Sequence, residues 1–126
     1  MKHTGACLCG AVSYEVAGDM RPVLACHCSQ CRKTSGHIWA SSQIDDHQLA
    51  LINRDGLRWY RSSETAERGF CQFCGSSVFW RLDGEGRISI AAGTLNLPTG
   101  LSMAEHIFVA DKGDYYEIEP GPPQSP

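Results

Sequence analysis

Seven cysteines carry most of the chemistry that this sequence offers. Cys26, Cys28 and Cys31 form the pattern C-x-C-x-x-C. Thiolates are soft ligands that bind zinc at about 2.3 Å, and zinc prefers four tetrahedral donors. The pattern therefore predicts a metal site with one position still to fill. Water or a substrate thiol in that position is typical of a catalytic zinc, whereas a fourth protein ligand is typical of a structural one.

The other four cysteines form two pairs, Cys7-x-Cys9 and Cys71-x-x-Cys74, with glycines beside them. Two such knuckles can supply one closed four-cysteine zinc site. A single ion would then join distant parts of the chain and close a long loop. Another partition is equally open, since Cys26 and Cys28 could combine with Cys71 and Cys74. Seven cysteines allow one four-cysteine site at most, with three thiols left over.

Disulfides and buried free thiols are the alternatives to metal. The start of the chain lacks the apolar region of a secretory signal, which predicts a cytoplasmic protein, where disulfides are rare. An odd number of cysteines also leaves one thiol unpaired in any complete disulfide set. Free cysteines can pack as small apolar residues. Close spacing nevertheless favours zinc.

Composition limits the classes of function. With 126 residues, 42% hydrophobic and 20% charged, the chain is typical of one soluble globular domain. A net charge of -3 without a basic stripe argues against nucleic acid as a partner. No apolar stretch is long enough to span a bilayer, so no membrane role is predicted. The sequence carries no signal for an oligomeric state.

Short strands are predicted to position the cysteines. Val12, Tyr14 and Val16 alternate with polar or small residues, which is the period of a half-buried strand. One helix turn is predicted over residues 29–35, ended by Gly36. The apolar runs 49–52 and 57–61 are predicted to form a hairpin, because Asp55-Gly56 favours a tight turn between them.

These elements predict a mainly antiparallel β domain over residues 1–118, without a long helix. The segment that follows, residues 119–126, is rich in proline and is predicted to be a disordered tail.

Five ordered motifs then resemble one protein family over nearly the whole chain, from about Gly5 to Ile118. They are G-A-C-L-C-G-A-V-S-Y-E-V, C-H-C-S-Q-C-R-K-T-S-G, R-G-F-C-Q-F-C-G-S-S-V-F-W, I-S-I-A-A-G-T-L-N and H-I-F-V-A-D-K. In this order they are similar to the glutathione-dependent formaldehyde-activating enzyme (centromere protein V) family. Tyr115 and Asn96 stand where that family often has tryptophan and aspartate.

The resemblance implies a β-tent fold with two zinc ions per chain. It assigns Cys7, Cys9, Cys71 and Cys74 to a structural zinc, and Cys26, Cys28 and Cys31 to a second, catalytic zinc. The implied activity is that of a carbon–sulfur lyase or transferase acting on glutathione adducts, such as the formation of S-hydroxymethylglutathione from glutathione and formaldehyde. The partners would be a small thiol and an aldehyde.

That chemistry suits a three-thiolate zinc. Such an ion could lower the pKa of a bound thiol or polarise the oxygen of an aldehyde. Three thiolates also weaken its Lewis acidity and make it exchangeable with competing thiols. The alternative function is a non-catalytic zinc-binding module for a protein or small-thiol partner.

Four residues outside the cysteine set are candidates for supporting roles. Lys33 could bind a glutathione carboxylate, although a solvated charge is an equal alternative. Thr94 could donate to the ligand or belong to a turn. His27 is predicted to support a thiolate rather than to bind metal, because alternate side chains in C-H-C point in opposite directions. His106 is predicted to be a hydrogen-bonded structural histidine.

Overall fold

The computed structural model describes residues 2–126. One α-helix lies in that range, α1 at Ser29–Ser35. Three short 3-10 turns occupy Asp46–Gln48, Ala92–Thr94 and Val109–Asp111. The strands are β1 Lys2–Ala6, β2 Ser13–Ala17, β3 Val23–Cys26, β4 Trp39–Asp45, β5 Leu49–Asn53, β6 Leu57–Arg61, β7 Ala66–Cys71, β8 Ser77–Leu82, β9 Arg87–Ala91 and β10 Met103–Ile107. None of the helices in residues 2–126 has the length and apolar character needed to cross a membrane.

The strands form two sheets. One has three strands in the order β1-β2-β5, and the other has seven in the order β10-β3-β4-β9-β8-β7-β6. Neighbouring strands are antiparallel, except that β10 runs parallel to β3. An antiparallel bridge between Gly5 and Leu95 links β1 to the segment that follows β9. The predicted mainly antiparallel β class is therefore confirmed.

The main core lies between the two sheets. Tyr14 and Val16 of β2 are buried, as the alternation in that strand predicts, and they pack with Phe79 of β8 and Ile90 of β9. The rings of Tyr14 and Phe79 lie 5.6 Å apart at a tilted angle. Burying each large apolar side chain contributes about 1.5–3 kcal/mol. This packing fixes the three-stranded sheet, and with it the loop between β1 and β2, over the larger sheet.

The predicted hairpin between residues 49–52 and 57–61 is wrong. β5 pairs with β2, whereas β6 pairs with β7 in the other sheet. The turn between them makes long-range contacts instead: the amide of Gly56 donates to the carbonyl of Ala11 at 2.9 Å, and its carbonyl accepts from the amide of Gln72 at 2.7 Å. Asp55-Gly56 does form a turn, as the sequence predicts. The partners of the flanking strands, however, depend on tertiary contacts.

The C-terminal tail runs beside β10. The amide of His106 donates to the carbonyl of Pro123 at 2.9 Å, and the amide of Ser125 donates to the carbonyl of His106 at 2.9 Å. Ser125 also donates from its hydroxyl to Glu105 at 2.6 Å. The sequence predicts disorder here because the segment lacks an apolar pattern. Most of these contacts are made by backbone atoms at the edge of the sheet, and an apolar pattern in the sequence does not predict such contacts.

Candidate metal centres

Four cysteines converge between the two sheets. Cys7 and Cys9 lie in the loop after β1, Cys71 ends β7, and Cys74 lies in the loop before β8. Their sulfur atoms all lie within 4.8 Å of one another. Cys9 Sγ is 3.8 Å from Cys7 Sγ and 3.6 Å from Cys71 Sγ. A tetrahedron with metal–sulfur bonds of 2.3 Å has edges of about 3.8 Å, so this donor set fits zinc.

Nearby donors orient these sulfurs. The amide of Val12 donates to Cys7 Sγ at 3.3 Å, in a buried contact. The Ser76 hydroxyl lies 3.2 Å from Cys74 Sγ and accepts from the amide of Leu8 at 3.1 Å, so it bridges the two knuckles. Hydrogen bonds from Ser76 lower the pKa of Cys74 to about 5, which favours the thiolate that a metal requires. Four protein donors would fill every position of a tetrahedral ion, as is typical of structural sites.

The other three cysteines form a separate group at the start of α1. Cys26 ends β3, Cys28 is the N-cap of α1, and Cys31 lies in its first turn. The amide of Cys31 donates to Cys28 Sγ at 3.3 Å, so the cap itself fixes one sulfur. The three sulfur atoms lie within 4.8 Å of one another, and no other ligand atom of a described His, Cys, Asp or Glu residue joins the group. The donor set fits a soft metal ion and leaves one tetrahedral position to an outside ligand.

A buried arginine faces this three-cysteine group. Arg68 of β7 is 6% exposed and donates from Nη2 to Cys31 Sγ at 3.3 Å. The hydrogen bond with the Cys26 thiol, together with Arg68, lowers the pKa of Cys31 to about 6. The same thiol–thiol contact, with burial, raises the pKa of Cys26. In the absence of metal, the structure therefore favours a thiolate at Cys31.

The group opens onto a cavity of about 420 Å³. Cys26, Cys28 and Cys31 lie on its wall beside Arg68. Five of its other lining residues are apolar or aromatic: Leu24, Trp39, Trp80, Ile107 and Phe108. Six are polar or charged: Arg21, Gln30, Ser41, Gln43, Ser89 and Asp111. A cavity that combines apolar walls with polar groups is typical of a small-molecule site.

His27 does not join either group of thiols. It is fully buried, and its Nδ1 lies 2.6 Å from the hydroxyl of Tyr116. Its Nε2 lies 2.9 Å from Nδ1 of His106. Burial, and then the neighbouring His106, lower the pKa of His27. Through Nε2, His27 therefore connects the segment between Cys26 and Cys28 to β10, and through Nδ1 it connects that segment to the C-terminal region.

The two residues predicted to contact glutathione lie outside the cavity. Lys33 is exposed on α1. Thr94 donates from its hydroxyl to the carbonyl of Ala91 at 2.8 Å, and therefore accepts from Tyr14 Oη at 2.7 Å. It lines a second groove, which shares Trp39 with the cavity. Their role in binding a ligand stays a prediction.

Two functional candidates were missed at the sequence level. Arg68 belongs to the motif R-G-F-C, but its contact with Cys31 spans 37 positions of sequence. Tyr116 reaches His27 across 89 positions. An arginine shortly before a cysteine knuckle is the one available signal for the first, and no pattern in the sequence indicates the second.

Comparisons with known proteins show which proteins this chain resembles. An uncharacterized lyase of Schizosaccharomyces pombe is 26% identical over 122 residues, which cover 93% of this chain and 85% of the relative. A crystal structure of a Rhodobacter sphaeroides protein, a structural genomics target, has a TM-score of 0.59 at 22% identity and covers 96% of this chain and 98% of its own. That likeness shows the fold. The model of the glutathione-dependent formaldehyde-activating enzymes matches residues 2–111. Since this match spans most of the chain, the protein belongs to that family.

Proposed function

We propose that this protein is a zinc-dependent carbon–sulfur lyase or transferase that joins a small thiol to an aldehyde. Glutathione and formaldehyde, giving S-hydroxymethylglutathione, are the pair that family membership favours. The observation that carries the proposal is the three-cysteine group on the cavity wall, which lacks a fourth ligand among the described residues. A site of that kind leaves room for a substrate donor, whereas the four-cysteine site does not.

The reaction is an addition in which atoms balance without an oxidant or reductant. The sulfur of the thiol bonds to the carbonyl carbon, the C=O double bond becomes a single bond, and the proton of the thiol ends on oxygen. Zinc held by Cys26, Cys28 and Cys31 would supply a Lewis acid that favours a bound thiolate or a polarised carbonyl. The reverse reaction breaks the same carbon–sulfur bond.

The residues around the cysteines support this chemistry through charge and water exclusion. Three thiolates outweigh the charge of one zinc ion, and the guanidinium of Arg68 at 3.3 Å from Cys31 Sγ offsets the excess. The rings of Trp39 and Trp80 line the cavity beside them. Apolar walls strengthen electrostatic interactions at the reacting atoms, because they exclude water.

Family membership also supports two zinc ions per chain. The match over residues 2–111 supports a single zinc-binding β domain over residues 1–118. Thiolate ligands and a free thiol substrate both require a reducing compartment, for which we propose the cytoplasm. Lys33 and Thr94 remain candidates for contacts with the peptide part of glutathione.

A non-catalytic zinc-binding module is the second candidate. Two large apolar side chains on the knuckles of the four-cysteine site favour it: Leu8 is 88% exposed and Phe73 is 68% exposed. Exposed apolar residues on a rigid knuckle could contact a protein partner. In that case the three-cysteine group would bind metal or a small thiol without turnover.

One experiment separates these functions. Zinc per chain is measured by elemental analysis on protein purified without added metal, before and after millimolar glutathione, and formaldehyde consumption is then followed with glutathione present. If the protein is a lyase, we expect two zinc ions per chain, of which glutathione removes or binds one. We also expect turnover, which Cys28→Ser should abolish. One zinc ion that glutathione leaves unchanged, with no turnover, would favour the non-catalytic module.

A further inference from the structure

Arg68 has more hydrogen-bonding capacity than its protein contacts use. Its Nε donates to Gln30 Oε1 at 2.9 Å and its Nη2 to Cys31 Sγ at 3.3 Å. Its Nη1 is buried and has no hydrogen-bond partner among the described residues. A buried donor on a charged group is unfavourable unless something accepts from it.

No carboxylate of the described residues fills that role. The ion pairs in residues 2–126 involve Lys2, Arg61, Arg81 and Arg87, and none includes Arg68. Asp111 also lines the cavity, but its carboxylate is not within 4.0 Å of any Lys or Arg nitrogen there. Arg68 therefore lines the cavity with one amino group on Cys31 Sγ and the other buried without an acceptor.

The position of Arg68 is also fixed. Its guanidinium carbon lies 5.5 Å from the centre of the Trp39 ring, and Gln30 and Cys31 hold two of its nitrogens from α1. A planar guanidinium held in this way is a preorganised partner for a planar anion, and carboxylate is the anion that matches its geometry best.

We propose that Arg68 Nη1 is the binding site for a carboxylate of the ligand, so that the cavity selects thiols that carry a carboxylate over neutral thiols. This inference rests on the proposed function, because it places the ligand's sulfur at the three-cysteine metal site. It adds a specificity-determining residue and a substrate class: an acidic thiol rather than a neutral one. The sulfur and the carboxylate would bind on either side of Cys31.

Arg21 provides a matched control. It lines the same cavity and is likewise in none of the ion pairs of residues 2–126. Its guanidinium, however, donates to the carbonyls of Pro22 at 3.2 Å and Ser41 at 3.1 Å. Arg21 has no atom among the buried donors without a partner, so replacing it removes a positive charge without removing such a donor.

The test uses protein loaded with cobalt(II), whose thiolate charge-transfer absorption rises when a further sulfur binds the metal. Wild type, Arg68→Met, Arg68→Lys and Arg21→Met are titrated with 3-mercaptopropionate and with 3-mercaptopropanol, which differ in the carboxylate. We expect wild type and Arg21→Met to bind the acidic thiol at least about tenfold more tightly than the neutral one, as a charge-assisted hydrogen bond would give. Arg68→Met should bind both within about twofold, with Arg68→Lys in between.

A preference for the acidic thiol that Arg68→Met keeps would overturn the inference, as would equal binding of both thiols by wild type. Binding of propionate to the zinc-loaded protein, measured by calorimetry, separates this inference from the proposed function. If neither thiol alters the cobalt spectrum but propionate binds to wild type and not to Arg68→Met, the carboxylate site stands and the thiol chemistry falls. If Arg68→Met fails to load its second metal, the preference of Arg68→Lys for the acidic thiol is the deciding measurement. Lysine keeps the charge but loses the forked geometry, so a preference as large as that of wild type would overturn the inference.

Discussion

Cys71 and Cys28 are both candidate metal ligands, but they have different surroundings. Cys71 is fully buried at the end of β7, with its sulfur 3.6 Å from that of Cys9 in the loop between β1 and β2. Cys28 is partly buried at the start of α1 and lines the cavity. The first thiol connects distant parts of the fold, whereas the second faces the cavity.

Replacing these two cysteines should therefore have unequal effects. Cys71→Ser should abolish cooperative folding, because a structural zinc contributes about 10–16 kcal/mol in small zinc domains, which equals or exceeds the whole stability of a typical domain. Cys28→Ser should stay folded and bind one zinc ion fewer. Thermal melts followed by circular dichroism, with zinc analysis of both variants, check this. A folded Cys71→Ser beside an unfolded Cys28→Ser would reverse the two roles.

The pair Tyr115 and Tyr116 gives a second prediction at single residues. Tyr116 Oη lies 2.6 Å from Nδ1 of the fully buried His27, whereas Tyr115 Oη lies 2.7 Å from Nδ1 of the exposed His37. Tyr116→Phe leaves a buried ring nitrogen without a partner and should cost about 1–3 kcal/mol of unfolding free energy. Tyr115→Phe should change it by less than about 0.5 kcal/mol, because water replaces the lost partner. Urea unfolding of both variants measures the difference, and equal losses would contradict it.

At the scale of elements, the two sheets approach closely at Gly5 of β1. An ideal Cβ at this position would overlap the ring of Tyr14 and lie 2.6 Å from the carbonyl oxygen of Thr94. Gly5 also forms the bridge to Leu95. The absence of a side chain thus allows β1 to contact the segment after β9.

Gly5→Ala should destabilise the protein by about 2 kcal/mol or more, since overpacking moves both Tyr14 and the backbone at Thr94. Gly93→Ala is the matched control, because a Cβ there would meet nothing within 4 Å. That variant should be neutral or slightly stabilised. Denaturant midpoints of the two variants give the comparison. A neutral Gly5→Ala would show that the sheets can separate at this point without cost.

Local patterns in the sequence predict those elements whose conformation depends on residues close in sequence. The alternation of Val12, Tyr14 and Val16 predicts β2, and Gly36 ends α1 with a left-handed conformation, φ 90°, as predicted. Coordination number leaves the partition of the seven cysteines open, and the structure divides them into four and three. Neither the separation of β5 from β6 nor the contact of Arg68 with Cys31 could be predicted, because both depend on how the two sheets pack.

For the whole molecule, the tail alongside β10 is a feature that can be tested in solution. Removing residues 119–126 would free the amides of His106 and Val109, which donate to Pro123 and Ser125. We expect a loss of about 1 kcal/mol and more self-association, since an uncovered edge strand pairs with other chains. Amide exchange at His106 and Val109, with light scattering, measures both effects. Equal exchange rates with and without the tail would mean that the segment is disordered in solution, as its composition predicts.

The two cysteine groups differ in how far their members are separated along the chain. Cys9 and Cys71 lie 62 positions apart, whereas Cys26, Cys28 and Cys31 belong to one short stretch. During synthesis the short stretch is therefore complete at residue 31, while the four-cysteine site is complete only at residue 74. Metal that binds the unfolded chain as well as the folded one adds little to stability. We expect zinc at the four-cysteine site to stabilise the fold, and zinc at the short stretch to be acquired before folding and to stay exchangeable afterwards.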